Sequence, residues 1–220
     1  MTFFDIDGTL VAHKGAERAA ALAFQRGHGT IFPESPDAFV ARWHSVAEKQ
    51  VRRYLSGELT FHQQRQARMR EMFSHDRALT DAESDTLFAE YLMRYEENWT
   101  LFPDVIPCLE CLKSKRIGII SNGDSAQQRE KLNRTRIGRR FSVVMISGDI
   151  GCAKPAAEIF HAACKAAQEE PKHCVFIGDD FDTDAMGSRR AGMVGIWLSR
   201  AGSDRPDAAP MIKTLIEFKG

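Results

Sequence analysis

Residues 2–10 read TFFDIDGTL, and this stretch decides how the rest of the chain is interpreted. Its aromatic and β-branched start predicts a buried strand, and alternation along a strand puts Asp5 and Asp7 on one side and Ile6 on the other. Two neighbouring carboxylates repel each other unless a cation neutralises them, and Mg²⁺ prefers such oxygen ligands. Gly8 then allows a sharp turn. An exposed acidic turn would explain the same residues, so this stretch alone leaves both interpretations open.

Four further short apolar runs follow, at residues 117–120, 141–146, 174–177 and 194–198. They are continuously apolar rather than alternating, which is typical of strands buried on both faces. Strands that alternate with helical patterns predict a parallel sheet with right-handed crossovers. The fold class is therefore predicted to be α/β, with a Rossmann-like parallel-sheet core. The stretch around Gly202–Pro210 is predicted to be a loop.

The segment from residue 15 to residue 99 contains no convincing strand and shows helical periodicity instead. Ser35–Pro36 and Thr80–Glu83 have the form of helix N-caps. We therefore predict an all-helical cap domain over residues 15–99, inserted into a core made of residues 1–14 and 100–220. Two apolar helix faces support this: Phe39, Trp43, Val46, Ala47 and Tyr54 on one helix, and Leu87, Phe88, Tyr91, Leu92 and Tyr95 on another.

The composition is that of an ordinary globular protein. The 220 residues include 30 Lys and Arg against 30 Asp and Glu, so the formal net charge is zero. A neutral chain is not expected to bind nucleic acid through long-range attraction. No apolar run reaches the roughly 18 residues that a membrane span needs, so no membrane partner is expected. The N-terminus lacks a basic region and a cleavage site, so no secretory signal is expected.

Five cysteines, an odd number, point to free thiols and a reducing, cytoplasmic compartment. Cys108 and Cys111 form a Cys-x-x-Cys pair. A zinc site needs a second pair or nearby histidines, and a redox pair needs to start a helix. Because this pair lies within an apolar helical pattern, we interpret both as buried helix cysteines.

A second motif, IISNGDS at residues 119–125, follows a predicted strand and precedes a helix. Free backbone N–H groups and the helix dipole make such a place suited to binding an anion. The hydroxyl of Ser121 and the residue after it, Asn122, are candidates for this role. A helix N-cap would explain the same residues equally well.

Two more motifs follow, GCAKP at residues 151–155 and VFIGDDFDTD at residues 175–184. Lys154 precedes a proline that is expected to start a helix. A cation is unfavourable at a helix N-terminus, so it needs an anionic partner, unless it is an exposed loop lysine. The second motif reads as an acidic helix start, but Asp179 comes directly at a strand end, where open α/β sheets bind ligands.

In this order, each at the carboxyl end of a predicted strand, the four motifs resemble those of the haloacid dehalogenase-like (HAD) hydrolase superfamily. The resemblance covers about residues 1–14 and 100–220. The helical insert after the first motif resembles the cap of the subclass that includes small-molecule phosphatases, β-phosphoglucomutase and the 2-haloacid dehalogenases.

The resemblance implies roles for the first three motifs. Asp5 would be the nucleophile that forms an aspartyl-phosphate, and Asp7 the general acid and then the base, with its main-chain carbonyl on the metal. Ser121 and the N–H of Asn122 would hold phosphate oxygens, and Lys154 would neutralise charge on Asp5 and the phosphoryl group.

The fourth motif would complete a Mg²⁺ site. The resemblance implies that Asp179 binds the metal together with Asp5, while Asp184 orients Lys154 or a metal-bound water. Asp180 is a further candidate for that orienting role. Asp7 favours phosphate-ester chemistry, because the dehalogenase branch lacks an aspartate at this place and needs no metal.

The sequence thus predicts a Mg²⁺-dependent phosphomonoester hydrolase that acts on a small phosphorylated metabolite. A phosphomutase has the same core residues and remains an alternative. A 2-haloacid dehalogenase and a non-catalytic binding protein on this scaffold are further alternatives, since fold alone does not fix activity. The oligomeric state stays open.

Residues 60–73 predict a helix whose apolar stripe includes Arg65 and Arg68. Arginines inside an apolar stripe need partners. One interpretation is that both arginines pair with acids on a neighbouring helix. The other is that one of them contacts a substrate anion, for which arginine is well suited. Both interpretations remain open at this point.

Overall fold

The computed structural model of the protein describes residues 1–202 and 209–220. Residues 203–208, which make up most of the loop predicted around Gly202–Pro210, lie outside the described residues. The chain divides into two compact units. One consists of Met1–Ala12 and Thr100–Gly220, and the other of His13–Trp99. No helix in the described part of the chain is long and apolar enough to cross a membrane.

The first unit is built on a sheet of six strands within the described residues. The strands are β1 (Thr2–Phe4), β2 (Ile117–Ser121), β3 (Val143–Ile146), β4 (Val175–Gly178), β5 (Val194–Leu198) and β6 (Met211–Ile212). They lie in the order β3-β2-β1-β4-β5-β6, and all neighbouring strands are parallel, which confirms the predicted α/β fold class.

Register explains why the motifs meet. Phe4 of β1 is level with Ile119 of β2 and with Ile177 of β4, so these three strands end at the same edge of the sheet. The bounds of the predicted strands agree with the structure to within one residue, except that β3 begins at Val143 rather than at residue 141. β6 has only two residues, which is too few to give a sequence pattern, and the sequence therefore does not predict it.

The helices of this unit are α5 (Val105–Cys111), α6 (Ser125–Arg134), α7 (Ser147–Ile150), α8 (Ala157–Ala167) and α9 (Met186–Arg190), with a π-helical turn at Phe181–Ala185 and 3₁₀ turns at Gly138–Arg140, Pro171–His173 and Leu215–Glu217. The prediction that a helix starts at Pro155 is wrong, because α8 begins at Ala157 after an N-cap at Ala156. Cys108 is buried in α5 as predicted. Cys111 is exposed, so that half of the prediction is wrong: it lies on the outer face of the helix.

Aromatic packing against the sheet fixes α8 in place. The rings of Phe160 on α8 and Phe176 on β4 meet edge to face with centroids 5.4 Å apart, and both side chains are fully buried. Phe3 of β1 belongs to the same cluster. Burial of each such ring stabilises the fold by about 1.5–3 kcal/mol. The strand ends that carry the motifs are thus set on a rigid base.

The second unit consists of four helices: α1 (His13–Gly27), α2 (Pro36–Leu55), α3 (Phe61–Phe73) and α4 (Asp81–Glu97). The predicted N-caps are confirmed, since Ser35 caps α2 and Thr80 forms a capping box with Glu83 before α4. A third cap, a box between Thr60 and Gln63, starts α3 at Phe61. These caps satisfy backbone N–H groups that a helix end leaves free.

The core of the helical unit contains the innermost part of both predicted apolar faces. On α2 the buried residues are Phe39, Trp43, Val46 and Ala47, and on α4 they are Phe88 and Tyr91. The outer members of the predicted faces are half-buried: Tyr54, Leu87, Leu92 and Tyr95. The indole of Trp43 packs against the ring of Tyr91 with centroids 4.5 Å apart.

Three charged side chains meet inside the helical unit. Glu17 of α1 accepts from Nδ1 of His44 on α2 at 2.9 Å and lies 3.5 Å from Nη2 of Arg68 on α3. Burial alone would raise the pKa of Glu17, but the hydrogen bond from His44 and the charge of Arg68 outweigh it and lower the pKa. The hydrogen bond to Glu17 raises the pKa of His44, against a smaller opposing effect of burial.

This pair predicts a pH-dependent contribution to stability. Because the folded pKa of His44 lies above its unfolded value of about 6.5, its contribution is present below that value and is lost as pH rises through the folded pKa. His44→Gln should lower the free energy of unfolding by about 0.5–1 kcal/mol at pH 5.5 and by less at pH 9. Urea denaturation at both pH values measures this.

His62→Gln is the matched control, because His62 pairs with Asp85 in a more exposed contact of 2.8 Å. We expect a smaller loss of stability in this variant. An equal loss for His44→Gln at both pH values would contradict the prediction.

Candidate active site

Asp5 follows β1 directly and is buried, with 6% of its surface exposed. Its Oδ1 accepts a hydrogen bond of 2.9 Å from Oγ of Ser121, the last residue of β2. The same oxygen lies 2.7 Å from Nζ of Lys154. Within the described residues the structure gives Oδ2 of Asp5 no hydrogen bond. One carboxylate oxygen is therefore anchored, while the other stays available.

Lys154 joins two buried carboxylates. Its Nζ lies 2.7 Å from Oδ1 of Asp5 and 2.7 Å from Oδ1 of Asp184, and its side chain is 3% exposed. Burial alone would lower the pKa of Lys154, but the charges of Asp184 and Asp5 outweigh it and raise the pKa above its usual value. The lysine therefore stays charged, and the anionic partner expected from the sequence is in place.

Asp179 follows β4, and one oxygen each of Asp5, Asp179 and Asp184 lie within 4.8 Å of one another. Burial raises the pKa of Asp184; Lys154 opposes this rise and Asp5 adds to it. Three converging carboxylates beside a single lysine charge favour a further cation. Their hard oxygen atoms fit Mg²⁺, so these residues suit the implied metal.

Two glycines make this convergence possible. Gly8 has φ +83°, and a Cβ there would lie 2.2 Å from Oδ2 of Asp179, so only glycine lets the first motif approach the fourth. A Cβ on Gly178 would lie 2.2 Å from Oδ2 of Asp184. Both positions are thus set by the space that the acidic side chains occupy.

Asp180 serves the fourth motif through its backbone and its side chain. Its backbone N–H donates to Oδ2 of Asp184 at 3.1 Å. Its Oδ1 accepts from the backbone N–H of Thr183 at 2.7 Å and so caps the π-helical turn. Asp180 is therefore in contact with Asp184, although its own carboxylate is exposed and acts as a cap.

Asn122 clamps the third motif onto the second. Its Oδ1 accepts from the backbone N–H of Lys154 at 2.7 Å, and its Nδ2 donates to the carbonyl oxygen of Lys154 at 2.9 Å. This two-point contact fixes the backbone from which the lysine extends to Asp5. It is a use of the Asn122 side chain that the sequence did not indicate, since the prediction concerned its backbone N–H.

Two residues of α6 contact Asp7 and were missed by the sequence analysis. Nζ of Lys131 lies 2.8 Å from Oδ1 and 2.7 Å from Oδ2 of Asp7. Nε2 of Gln128 lies 3.0 Å from Oδ2 of Asp7 and 2.9 Å from Oγ of Ser121. Gln128, Lys131 and Leu132 are spaced at i, i+3 and i+4, which marks one buried face of α6. This spacing was the sequence signal that could have predicted their burial.

Arg200, which follows β5, holds the loop that comes after Asp7. The sequence did not indicate this role. Its guanidinium donates to the carbonyl oxygens of Gly8 at 3.2 Å and Thr9 at 2.7 Å. Two further bonds, of 2.9 and 3.0 Å, reach the carboxylate of Asp104, which is buried. An isolated arginine beyond a strand carries no sequence signal for such a contact.

The predicted residues of the helical unit have contacts within that unit. Arg68 lies beside Glu17 of α1, so it pairs with an acid on a neighbouring helix, as one of the two interpretations of the sequence predicts. The guanidinium carbon of Arg65 is 4.3 Å from the ring centroid of Phe61 and 5.1 Å from that of Phe88. A contact of either arginine with a substrate stays a prediction.

A parallel sheet with an acidic cluster at its strand ends is the arrangement expected of a HAD-type hydrolase, and sequence comparison shows the family. The family model for haloacid dehalogenase-like hydrolases matches residues 2–192. The chain belongs to this family.

Relatives and one solved structure extend the comparison. A glyceraldehyde 3-phosphate phosphatase of Methanopyrus kandleri is 39% identical over 118 residues, 53% of this chain and 47% of that protein. An N-acylneuraminate-9-phosphatase of Rattus norvegicus is 32% identical over 117 residues, 52% of this chain and 47% of that protein. The chain thus spans about half the length of these relatives. YfnB, a HAD hydrolase of Bacillus subtilis solved with bound magnesium, has a TM-score of 0.79 at 22% identity, covering 98% of this chain and 95% of that one, and so shares the fold.

The buried ion pairs of Lys154 yield a prediction on stability. In Lys154→Met the carboxylates of Asp5 and Asp184 would stay buried without their cation. We expect the free energy of unfolding to fall by about 3–5 kcal/mol, measured by urea denaturation with a metal chelator present.

Lys172→Met is the matched control, because Lys172 pairs with Glu170 at the surface, where the two side chains are 69% and 66% exposed. That variant should lose no more than about 1 kcal/mol. Equal losses in the two variants would contradict the prediction.

Proposed function

We propose that the chain is a Mg²⁺-dependent phosphomonoester hydrolase, which acts on a small phosphorylated metabolite through an aspartyl-phosphate on Asp5. The observation that carries the proposal is the state of the Asp5 carboxylate. Ser121 and Lys154 hold Oδ1, while Oδ2 has no hydrogen bond within the described residues. A carboxylate fixed in this way is oriented for nucleophilic attack.

Asp5 and Asp179 are the side chains that would hold Mg²⁺, with the main-chain carbonyl of Asp7 as a further ligand. An oxygen of Asp184 converges on the same place, and its carboxylate orients Lys154. When bound, Mg²⁺ offsets the negative charge of the carboxylates and of the phosphoryl group. Lys154 contributes a fixed positive charge from the protein itself, and Asp184 keeps that charge in place beside Asp5.

In the first step an oxygen of Asp5 forms a bond to phosphorus, and the bond from phosphorus to the ester oxygen breaks. The electron pair of that bond goes to the departing oxygen, which takes a proton from the carboxyl group of Asp7 and leaves as an alcohol. Ser121 and the backbone N–H of Asn122 bind the phosphoryl oxygens, and Lys154 neutralises their charge.

In the second step water attacks the phosphorus of the aspartyl-phosphate and passes a proton to the Asp7 carboxylate. The bond between phosphorus and Asp5 breaks, which releases inorganic phosphate and restores both aspartates. The net reaction is hydrolysis of one phosphate ester. Asp7 separates this chemistry from carbon–halogen cleavage, which needs no proton donor for its leaving group.

The substrate class rests on the relatives. Both are named as phosphatases of a small phosphorylated compound, a triose phosphate in one case and a sugar acid phosphate in the other. A role of residues 15–99 as a cap domain belongs to the same proposal. So does the hypothesis that Arg65 or Arg68 contacts a substrate anion.

Phosphate release from a panel of phosphorylated metabolites and p-nitrophenyl phosphate tests the proposal. We expect turnover with Mg²⁺, loss of turnover with a chelator, and a fall of at least about 10³-fold in kcat for Asp5→Asn. Asp149→Asn, at an exposed acid on α7, is the control and should keep full activity.

Other outcomes would identify the alternatives. Turnover that is independent of metal, or equal in Asp5→Asn, would overturn the mechanism. Conversion of a sugar phosphate to its isomer without phosphate release would indicate a phosphomutase. Halide release from a 2-haloacid would indicate a dehalogenase, and inactivity on all substrates would leave a binding protein.

A further inference from the structure

We infer that Lys131, together with Gln128, is a positioning residue that holds the Asp7 carboxylate in the orientation needed to protonate the leaving group. This inference rests on the proposed function and extends it to a residue outside the four motifs. It starts from the contacts of α6 with Asp7, which the proposed mechanism does not otherwise use.

The geometry is that of a clamp. The ammonium of Lys131 faces both oxygens of Asp7, at 2.8 and 2.7 Å, and the amide of Gln128 reaches Oδ2 at 3.0 Å. Donors on both oxygens fix the rotation of the carboxylate as well as its position. A single contact would leave the carboxylate free to turn.

Burial indicates that this contact is not an incidental surface pair. The Lys131 side chain is 3% exposed and that of Asp7 is 26% exposed, so the carboxylate is the accessible end of the pair. Burial of an ammonium group is costly unless a partner compensates for it. The other cationic side chains of α6, on Arg129 and Arg134, form exposed ion pairs instead.

Gln128 connects the clamp to the nucleophile. The same Nε2 atom that contacts Asp7 lies 2.9 Å from Oγ of Ser121, which in turn donates to Asp5. The backbone carbonyl of Asn122 is a third acceptor, at 3.1 Å. One side chain thus links the proton donor to the residue that anchors the attacking group, and reacting groups held in the right geometry lower the barrier.

Leaving-group dependence separates positioning from general damage. An alkoxide leaves only when protonated, whereas p-nitrophenolate leaves without a proton. Because kcat/KM covers the steps up to transfer to Asp5, it excludes the later hydrolysis, which is common to both substrates. Benzyl phosphate and p-nitrophenyl phosphate are therefore the two probes, with the full chain and Mg²⁺.

For Lys131→Met we expect kcat/KM to fall about 10- to 100-fold with benzyl phosphate, at most the lower limit of the roughly 10²–10⁴-fold contribution of a general acid, because Asp7 itself is kept. With p-nitrophenyl phosphate we expect a fall of less than about 3-fold. Lys131→Gln, which keeps N–H donors but loses the charge, should show the same selectivity to a smaller degree. Lys165→Met, at an exposed lysine of α8, is the matched control and should leave both values unchanged.

Equal losses with the two substrates, or no loss with either, would overturn the inference. So would failure of both Lys131 variants to fold, measured by thermal unfolding, because the lysine would then be needed for structure alone. If the unaltered protein hydrolysed neither of these esters nor any metabolite of the panel, the proposed function would fail, and this inference with it.

Discussion

The site depends on the ion pairs that the buried ammonium group of Lys154 forms with Asp5 and Asp184. Without a cation, two carboxylates at the end of a buried sheet would repel each other and resist burial. With it, one oxygen of Asp5 is anchored, and the first, third and fourth motifs are tied together. The charged lysine is kept in place because Asn122 holds its backbone on both sides.

The parallel sheet explains why residues so far apart in the chain share one site. Strands β1, β2 and β4 are in register and end at the same edge, so the residue after each strand arrives at one place. Close approach then requires glycine, since a side chain at Gly8 or Gly178 would fill the space of an aspartate. The fold supplies the meeting point, and the acids and the lysine supply the chemistry.

Much of this site could be predicted from the sequence, because each motif carries its own local signal of a strand end and polar residues. What could not be predicted depends on contacts between elements. Lys131 and Gln128 read as ordinary helix residues until α6 is placed beside Asp7, and Arg200 carries no local signal at all. Local rules also misplaced the start of α8 and the side of α5 on which Cys111 lies, since helix boundaries and faces depend on what packs against them.

Locating the phosphoryl group during turnover tests the central claim most directly. The protein would be acid-quenched with a phosphate ester present and reduced with borohydride, which converts an acyl phosphate to an alcohol. Peptide mass spectrometry would then locate the reduced residue. We expect the reduced residue at position 5, and no reduced residue when substrate is omitted. Reduction at another aspartate, or phosphate release with no trapped residue under any quench time, would contradict it.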